Sequence, residues 1–262
     1  MSLGYHIFLG ATVADAAARP LHWVYDPKKL KSYIKDKKDI TFLSKNRCPF
    51  YSIKTGKVSG YNDVAQVMFK SILESKKQYN ILKIFKKNIV KNFGPGSTYW
   101  KNLNLRKKYK KIKWTKPMSG PWIHQNIMET IKNIRSKKNI TGGKKVNESD
   151  GFCAALPYYL YDQNTSNVKK IIKDVNKPHI QTVKKYGKAC SYPGTFMGSI
   201  HAILNSKNYK SAVIKLIKAG GCNCSRSNFV GAYFAAQNGL RDIPVNWIKK
   251  TIPARNILKH IS

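Results

Sequence analysis

The amino-acid sequence predicts an all-α fold, formed by one compact helical domain that spans residues 1–262. Apolar residues recur at the spacing of a helix face in several segments, whereas the strict alternation typical of strands is scarce. No linker rich in Gly, Ser or Pro divides the chain. A chain of 262 residues with 42% hydrophobic content is long enough to bury a substantial core, so one domain is expected.

The first predicted helix covers residues 4–18, "GYHIFLGATVADAAA", and ends before Pro20 because proline cannot continue a helix. Its small residues Gly10 and Ala14 would allow a neighbouring helix to approach closely. The last predicted helix covers residues 225–239, with Ser225 as its N-cap and Gly239 as its stop. Between them, helices are predicted over residues 61–75, 121–136, 151–161, 192–206 and 209–220.

The charge of the chain is strongly basic: 49 basic and 12 acidic residues give a formal net charge of +37. Such a charge suits a protein that binds nucleic acid, a protein that binds an anionic membrane or an enzyme for acidic substrates. Only seven of the basic residues are arginine, the residue that phosphate and base recognition favours. The joint abundance of Lys, Ile and Asn is also what AT-rich codon usage produces, so polyanion binding and compositional drift both stay open.

The five cysteines form an odd set without the spacing of a disulfide framework, which predicts a reducing compartment. The first residues lack the basic region of a signal peptide, and Asp15 interrupts their apolar stretch. The longest apolar runs fall well short of the roughly 20 residues that a membrane span needs. We therefore expect a cytoplasmic protein without a membrane partner.

Six stretches of the sequence, in order along the chain, carry a resemblance to a known family. They are "GATVADAAARPLHWVYD" (10–26), "RCPFYSIKTGKVSGYNDVAQV" (47–67), "FGPGSTYW" (93–100), "SGPWIHQNI" (119–127), "SDGFCAALP" (149–157) and "AGGCNCSRSNFVGAYFAAQNGLRDIPVNW" (219–247). Together they resemble the ADP-ribosylglycohydrolase family, in particular the branch of the J-type lens crystallins and related selenoproteins, over residues 4–250. The resemblance implies an all-helical domain and, in active members, two magnesium ions that position ADP-ribose for hydrolysis.

The resemblance also implies which positions would hold the metal, and most of them carry altered residues. The family's ligands are carboxylates and hydroxyls, because magnesium demands oxygen ligands. Here two implied aspartates are replaced by Cys222 and Cys224, and an implied glutamate by His22. The resemblance therefore predicts a degenerate site that does not hold a magnesium pair. The residues at the implied metal positions are Asp15, His22, Asp63, Cys222, Cys224 and Ser225.

Two interpretations of the surviving carboxylates, Asp15 and Asp63, stay open. They are either structural, as helix caps or partners of a lysine, or they hold one cation and act as the catalytic carboxylates of a divergent hydrolase. The resemblance further implies contacts to an ADP-ribose-like ligand from a second group of residues. These are Asn147, Ser149, Asp150, Gly151 and His179, of which the first four are equally typical of a turn.

The two thiols near the last helix also have several interpretations. Cys222 and Cys224 are interpreted first as small buried core residues. A helix N-terminus and Arg226 beside them would lower the pKa of a thiol, which would permit a redox role. With His22, itself interpreted first as a core histidine beside Trp23, they could instead hold zinc, completed by one aspartate.

Three functions are compatible with these observations. The first is a non-catalytic protein akin to the J-type crystallins, with a structural or ligand-binding role, because the fold of an enzyme does not bring its activity with it. The second is a divergent hydrolase of ADP-ribosyl or other glycosidic bonds. The third is a basic protein that binds polyanions, for which the cleft would be incidental.

Overall fold

The computed structural model describes residues 2–75, 80–102, 117–143 and 174–261, and the architecture is given for these residues. They are mostly helical, which confirms the predicted all-α fold. The helices are α1 (Ser2–Ala18), α2 (Pro27–Ile34), α3 (Gly60–Glu74), α4 (Ile81–Phe93), α5 (Gln125–Arg135), α6 (His179–Tyr186), α7 (Gly194–Leu204), α8 (Tyr209–Ala219), α9 (Asn223–Asn238), α10 (Val245–Lys250) and α11 (Ala254–Leu258).

Extended structure is minor in the described part of the chain. The strands β1 (Tyr51–Ser52) and β2 (Met118–Ser119) pair in parallel over two residues each. Short 3-10 turns cover Arg19–Leu21 and Leu240–Asp242. Within the described segments, no helix is both long enough and apolar enough to cross a membrane.

The centre of the fold is the packing of α1 against α9, the most extensive helix contact among the described residues. Small residues make this contact possible, as the sequence predicts. A Cβ atom added at Gly10 would lie 2.4 Å from both the Cβ of Ala235 and the carbonyl oxygen of Gly231. One added at Gly231 would lie 2.6 Å from the Cβ of Ala14. The two helix backbones therefore approach each other as closely as glycine allows.

Helix α3 connects this main core to a smaller one. Its residues Val64 and Val67 are buried against Ile89 of α4 and Ile131 of α5, in a cluster separate from the α1–α9 core. Its residue Asn62 is also fully buried and bonds to α9, so α3 touches both sides. This position places the first turn of α3 beside α1 and α9.

The boundaries of α9 correct one sequence prediction and confirm another. The last helix begins at Asn223 with Cys222 as its N-cap, so the prediction of Ser225 as the cap is wrong. Ser225 lies in the first turn, where its hydroxyl donates to the Cys222 carbonyl oxygen at 3.0 Å. Gly239 ends the helix with a φ of 70°, as predicted. The predicted helix over 151–161 and most of the basic run 101–116 lie outside the described residues.

Candidate functional site

Asp15 lies on α1 with its side chain fully buried. Its carboxylate accepts three hydrogen bonds, each of 2.6 Å: from the Ser59 backbone N–H, the Ser59 hydroxyl and the Asn228 side-chain amide. Burial raises the pKa of Asp15 to about 6, while the bonds from Ser59 and Asn228 oppose that rise. Among the described residues, Asp15 therefore neither caps a helix nor pairs with a lysine. It is the acceptor at the centre of a buried polar network.

The network around Asp15 extends through neutral side chains. The Asn62 amide of α3 donates to the Asn228 side-chain oxygen of α9 at 2.7 Å. Gln66, one helical turn after Asn62, donates to the Asn62 oxygen at 2.9 Å and to the Thr12 hydroxyl at 3.0 Å. Three helices are thus joined by amide and hydroxyl groups.

Asp63 lies in the first turn of α3, but it faces a different environment. It is partly exposed and lines a cavity of about 320 Å³ together with Lys57, Gln66 and Tyr99. The Tyr99 hydroxyl donates to its carboxylate. Burial, and secondarily the charge of Asp15, raises the pKa of Asp63 to about 7, while the bond from Tyr99 opposes the rise.

His22 is fully buried, as its interpretation as a core histidine predicts. Its ring stacks on Trp23 with ring centroids 4.3 Å apart. Its Nδ1 lies 2.9 Å from the Tyr51 hydroxyl, and its Nε2 lies 3.5 Å from the Cys222 sulfur. Burial, followed by the positive charges of His124 and Arg19, lowers the pKa of His22 well below its usual range, so the ring is neutral.

Cys222 and Cys224 are fully buried on different sides of the α9 N-terminus. The Cys222 thiol donates to the Tyr61 hydroxyl at 3.3 Å, whereas the Cys224 sulfur lies 3.8 Å from the backbone oxygen of Asp15. Burial raises the pKa of both thiols. The expectation that Arg226 and the helix N-terminus lower these pKa values is therefore wrong, because desolvation outweighs the favourable field.

Arg226 contributes to the architecture through backbone oxygens. Its guanidinium is fully buried, donates to the Gly220 carbonyl and lies 3.4 Å from the Lys188 carbonyl. The Cys222 N–H also donates to the Lys188 oxygen, at 2.9 Å. These bonds hold the segment before α7 against the turn before α9.

These contacts place Cys190 in the site, which the sequence does not predict. Cys190 is partly exposed, and its thiol shares hydrogen bonds with Cys222 and Tyr61. The bond from Cys222 is the main reason that the pKa of Cys190 falls to about 6. The proton of this thiol pair belongs with Cys222, because the buried sulfur pays the larger desolvation cost when charged.

His179 belongs to a separate polar cluster at the start of α6. Its Nδ1 lies 2.9 Å from Nδ1 of His201, and Nε2 of His201 lies 3.2 Å from the Thr182 hydroxyl. Burial lowers the pKa of His179 to about 2, which keeps the ring neutral. The other residues for which ligand contacts are implied, Asn147, Ser149, Asp150 and Gly151, lie outside the described residues.

A second cavity, of about 370 Å³, opens beside the His22 region. It is lined by the aromatic side chains of Trp23, Tyr25 and Tyr33 and by the cations Lys29 and Arg47. The Arg47 guanidinium lies over the Tyr33 ring, 4.7 Å from its centroid. Flat rings and positive charges in one concave surface suit a ligand that joins an aromatic group to an anion.

The residues present do not fit a magnesium pair. Three buried donors already engage the Asp15 carboxylate, and the Asp63 carboxylate accepts from Tyr99. Cys222 and Cys224 supply protonated thiols where magnesium requires oxygen. Within the described ranges, no three His, Cys, Asp or Glu side chains converge in a way that could hold a metal ion, so the alternative interpretation of a zinc site gains no support.

Most of the residues that hydrogen-bond to Asp15, Asp63 and Cys222 are not predicted from the sequence. Asn228 has one readable signal, because it lies four residues after Cys224 and so shares its helix face. Ser59 and Tyr99 lie within quoted stretches of the resemblance, but no spacing in the sequence identifies their partners. The same holds for Cys190, because these contacts join segments distant in sequence.

The helical fold and the motifs that form the site are consistent with a resemblance to the ADP-ribosylglycohydrolase family. The chain is similar to Crystallin J1A of Tripedalia cystophora, with 28% identity over 300 aligned residues that cover 96% of this chain and 92% of the crystallin. Crystallin J1B of the same organism is also 28% identical, over 302 residues covering 97% and 93%. No family model matches the sequence. These J1 crystallins are homologues of the chain, and they confirm the resemblance that the motifs indicate.

Proposed function

We propose that this chain is a non-catalytic, J-crystallin-like protein in which a hydrogen-bonded polar core takes the place of a magnesium pair. The observation that supports the proposal is the set of three hydrogen bonds that Asp15 accepts from Ser59 and Asn228. A metal at Asp15 would have to displace these donors inside a fully buried core. Without the metal charge, the largest source of transition-state stabilisation in such a site is missing.

The test combines activity and metal content. We expect no hydrolysis of ADP-ribosyl-arginine or ADP-ribosyl-serine in magnesium, and no stoichiometric metal in the purified protein. The matched control is the Cys222→Ser/Cys224→Ser protein, which returns oxygen to both positions. Robust magnesium-dependent turnover or stoichiometric magnesium in the native protein would contradict the proposal. One zinc ion that disappears with the two thiols would replace it with a soft-metal site.

A ligand-binding role is supported by the cavity beside Trp23. Its aromatic walls and the Arg47–Tyr33 stack suit the adenine and diphosphate of an ADP-ribose-like molecule. We expect ADP-ribose to bind without being cleaved, and Arg47→Ala to weaken binding about tenfold, as the loss of one charged contact predicts. Calorimetric titration measures this, with the exposed Arg135→Ala as control. Equal binding by both variants would place the ligand elsewhere.

A divergent hydrolase is the second candidate, and Asp63 favours it. A carboxyl with a pKa of about 7 at the wall of a cavity is suited to proton transfer near neutral pH. If any glycosidic hydrolysis is detected, we expect Asp63→Asn to abolish it. Activity that survives this substitution would not come from this cavity.

Polyanion binding is the third candidate, supported by charge balance. Twelve acidic residues cannot neutralise 49 basic ones, and one of them, Asp15, is fully buried. We expect affinity for unrelated DNA duplexes that falls steeply with salt. Salt-independent binding would exclude it. A reducing cytoplasmic location completes the proposal, since the described cysteines, Cys48, Cys190, Cys222 and Cys224, are free thiols.

A further inference from the structure

Two segments distant in sequence are held side by side at the start of α9. The Cys222 N–H and the Arg226 guanidinium both donate to the Lys188 carbonyl, at 2.9 and 3.4 Å. A Cβ atom at Gly221 would lie only 2.4 Å from that carbonyl oxygen, so the two backbones are in contact. Gly221 has a φ of 68°, which glycine adopts without strain. Cys190, two residues after Lys188, is thereby brought to Cys222.

The two thiols differ in access, although they touch. Cys190 is partly exposed, and Cys222 is fully buried behind it. The sulfurs share a hydrogen bond, and both bond to the Tyr61 hydroxyl. The Ser225 hydroxyl donates to the Cys222 sulfur at 3.2 Å, and Nε2 of His22 lies 3.5 Å from it. An accessible sulfur backed by a buried second sulfur is the arrangement of a dithiol that can close into a disulfide.

We propose that Cys190 and Cys222 form a redox-active dithiol that reduces low-molecular-weight peroxides. The Cys190 sulfur attacks the outer oxygen of the peroxide and the O–O bond breaks. The outer oxygen stays on the sulfur as a sulfenic acid, and the inner oxygen takes the Cys190 proton and leaves as water or an alcohol. The Cys222 sulfur then attacks the Cys190 sulfur, the S–O bond breaks, and the hydroxide leaves as water with the Cys222 proton. Two thiols are oxidised to one disulfide, and one peroxide is reduced.

The other described cysteines lack this arrangement. Cys48 is buried, and burial raises the pKa of its thiol to about 11. Cys224 is fully buried and directed to the backbone oxygen of Asp15. Both serve as internal controls, because peroxide meets neither an accessible sulfur nor a contacting second thiol there.

The test uses the full chain with Cys153→Ser, so that Cys48, Cys190, Cys222 and Cys224 are the cysteines that remain. We expect stoichiometric hydrogen peroxide to remove two hydrogen atoms from the intact mass, and peptide mapping to find one disulfide between Cys190 and Cys222. Iodoacetamide should alkylate Cys190 at least about tenfold faster than Cys48 or Cys224, because Cys190 is partly exposed and the other two are buried.

Variants separate the two roles. Cys222→Ser should leave a sulfenic acid on Cys190 that dimedone traps, Cys190→Ser should form no intramolecular disulfide, and Cys48→Ser should behave like the parent. A disulfide to any other cysteine, or alkylation of Cys190 no faster than of Cys48, would overturn the assignment. Since the mapping and alkylation use the parent protein, they decide the matter even if a variant fails to fold.

Discussion

The two carboxylates that the resemblance assigns to one metal centre lie in two different environments. Asp15 lies in the seam between α1 and α9, where its fully buried carboxylate accepts from Ser59 and Asn228. Asp63, on α3, lines an open cavity beside Tyr99. Both have raised pKa values because of burial, to about 6 and about 7. The closed seam stabilises the fold, whereas the open cavity retains a group that can exchange a proton with solvent.

The largest effect is expected from Asp15→Ala. The substitution leaves the Ser59 N–H, the Ser59 hydroxyl and the Asn228 amide buried without their acceptor. Each orphaned buried donor costs about 1–3 kcal/mol, so we expect a loss of about 4 kcal/mol in the free energy of unfolding. Chemical denaturation measures the loss. The control is Asp63→Ala, because the Asp63 side chain lines the cavity, and its free energy of unfolding should fall far less. Equal losses would show that the seam and the cavity are not distinct.

The next effect is expected from the helix contact itself. Gly10→Ala introduces a methyl group 2.4 Å from the Gly231 oxygen and the Ala235 Cβ, so α1 and α9 must separate. We expect a loss of about 3 kcal/mol in unfolding free energy. Gly4→Ala is the matched control on the same helix, because nothing lies within 4 Å of its added Cβ. It should be neutral or stabilise by about 0.5–1 kcal/mol. A Gly10→Ala protein as stable as Gly4→Ala would contradict the seam as described.

The seam is also the part of the fold that the sequence predicts best. Apolar periodicity and the small residues of α1 predict both helices and their close approach. Helix α2 is missed, although Asp26 caps it by accepting from the Lys28 and Lys29 N–H groups and Pro27 opens it. That signal was present, because an aspartate followed by proline is typical of a helix start. The stretch is short and rich in lysine, and Leu30 is its single buried apolar residue, so apolar periodicity does not predict a helix there.

The site is predicted less completely, for a physical reason. The positions of Asp15 and Asp63 follow from the resemblance, but their partners do not. Ser59 lies 44 residues from Asp15, Asn228 lies 213 residues from it, and Tyr99 lies 36 residues from Asp63. Neither propensity nor periodicity encodes such contacts, because they depend on how whole helices pack. The same limit explains why Cys190 was not paired with Cys222 from sequence.

The next effect in size is expected in the pH dependence of stability, which distinguishes the two carboxylates. The pKa of Asp63 is about 7 in the folded chain and 3.8 in its usual range, so the folded state binds this proton more tightly than the unfolded state. Its contribution is fully present below pH 4 and is lost as pH rises toward 7 and above. Asp63→Asn removes this dependence. Asp63 is partly exposed, so the full effect of its pKa shift must be discounted. We expect the free energy of unfolding of Asp63→Asn, relative to the parent, to increase by about 2 kcal/mol between pH 4 and pH 8.

Denaturant titrations of both proteins at several pH values measure that difference. Contributions from the neutral buried rings of His22 and His179 cancel, since both proteins contain them. Ser52→Ala, on the short strand β1, serves as a control for a substitution without a titrating group and should parallel the parent. A parent–Asp63→Asn difference that stays constant with pH would mean that Asp63 titrates in the folded chain as it does in the unfolded one.

The smallest effect is expected from Tyr99→Phe, which tests how the cavity holds its carboxylate. The Tyr99 hydroxyl donates to Asp63 and lowers its pKa against the cost of burial. Without this donor, the pKa of Asp63 should rise above 7, and the charged form should lose about 1 kcal/mol of stabilisation. The loss should therefore appear at pH 8 and shrink toward pH 5, where Asp63 is protonated in the folded chain. NMR titration of the Asp63 carboxyl carbon measures the pKa directly, and the same substitution in the Asp63→Asn background should show no pH-dependent loss. A pKa that falls in Tyr99→Phe would mean that water solvates Asp63 better than the tyrosine does, and the cavity would then be more open than the Asp63–Tyr99 contact indicates.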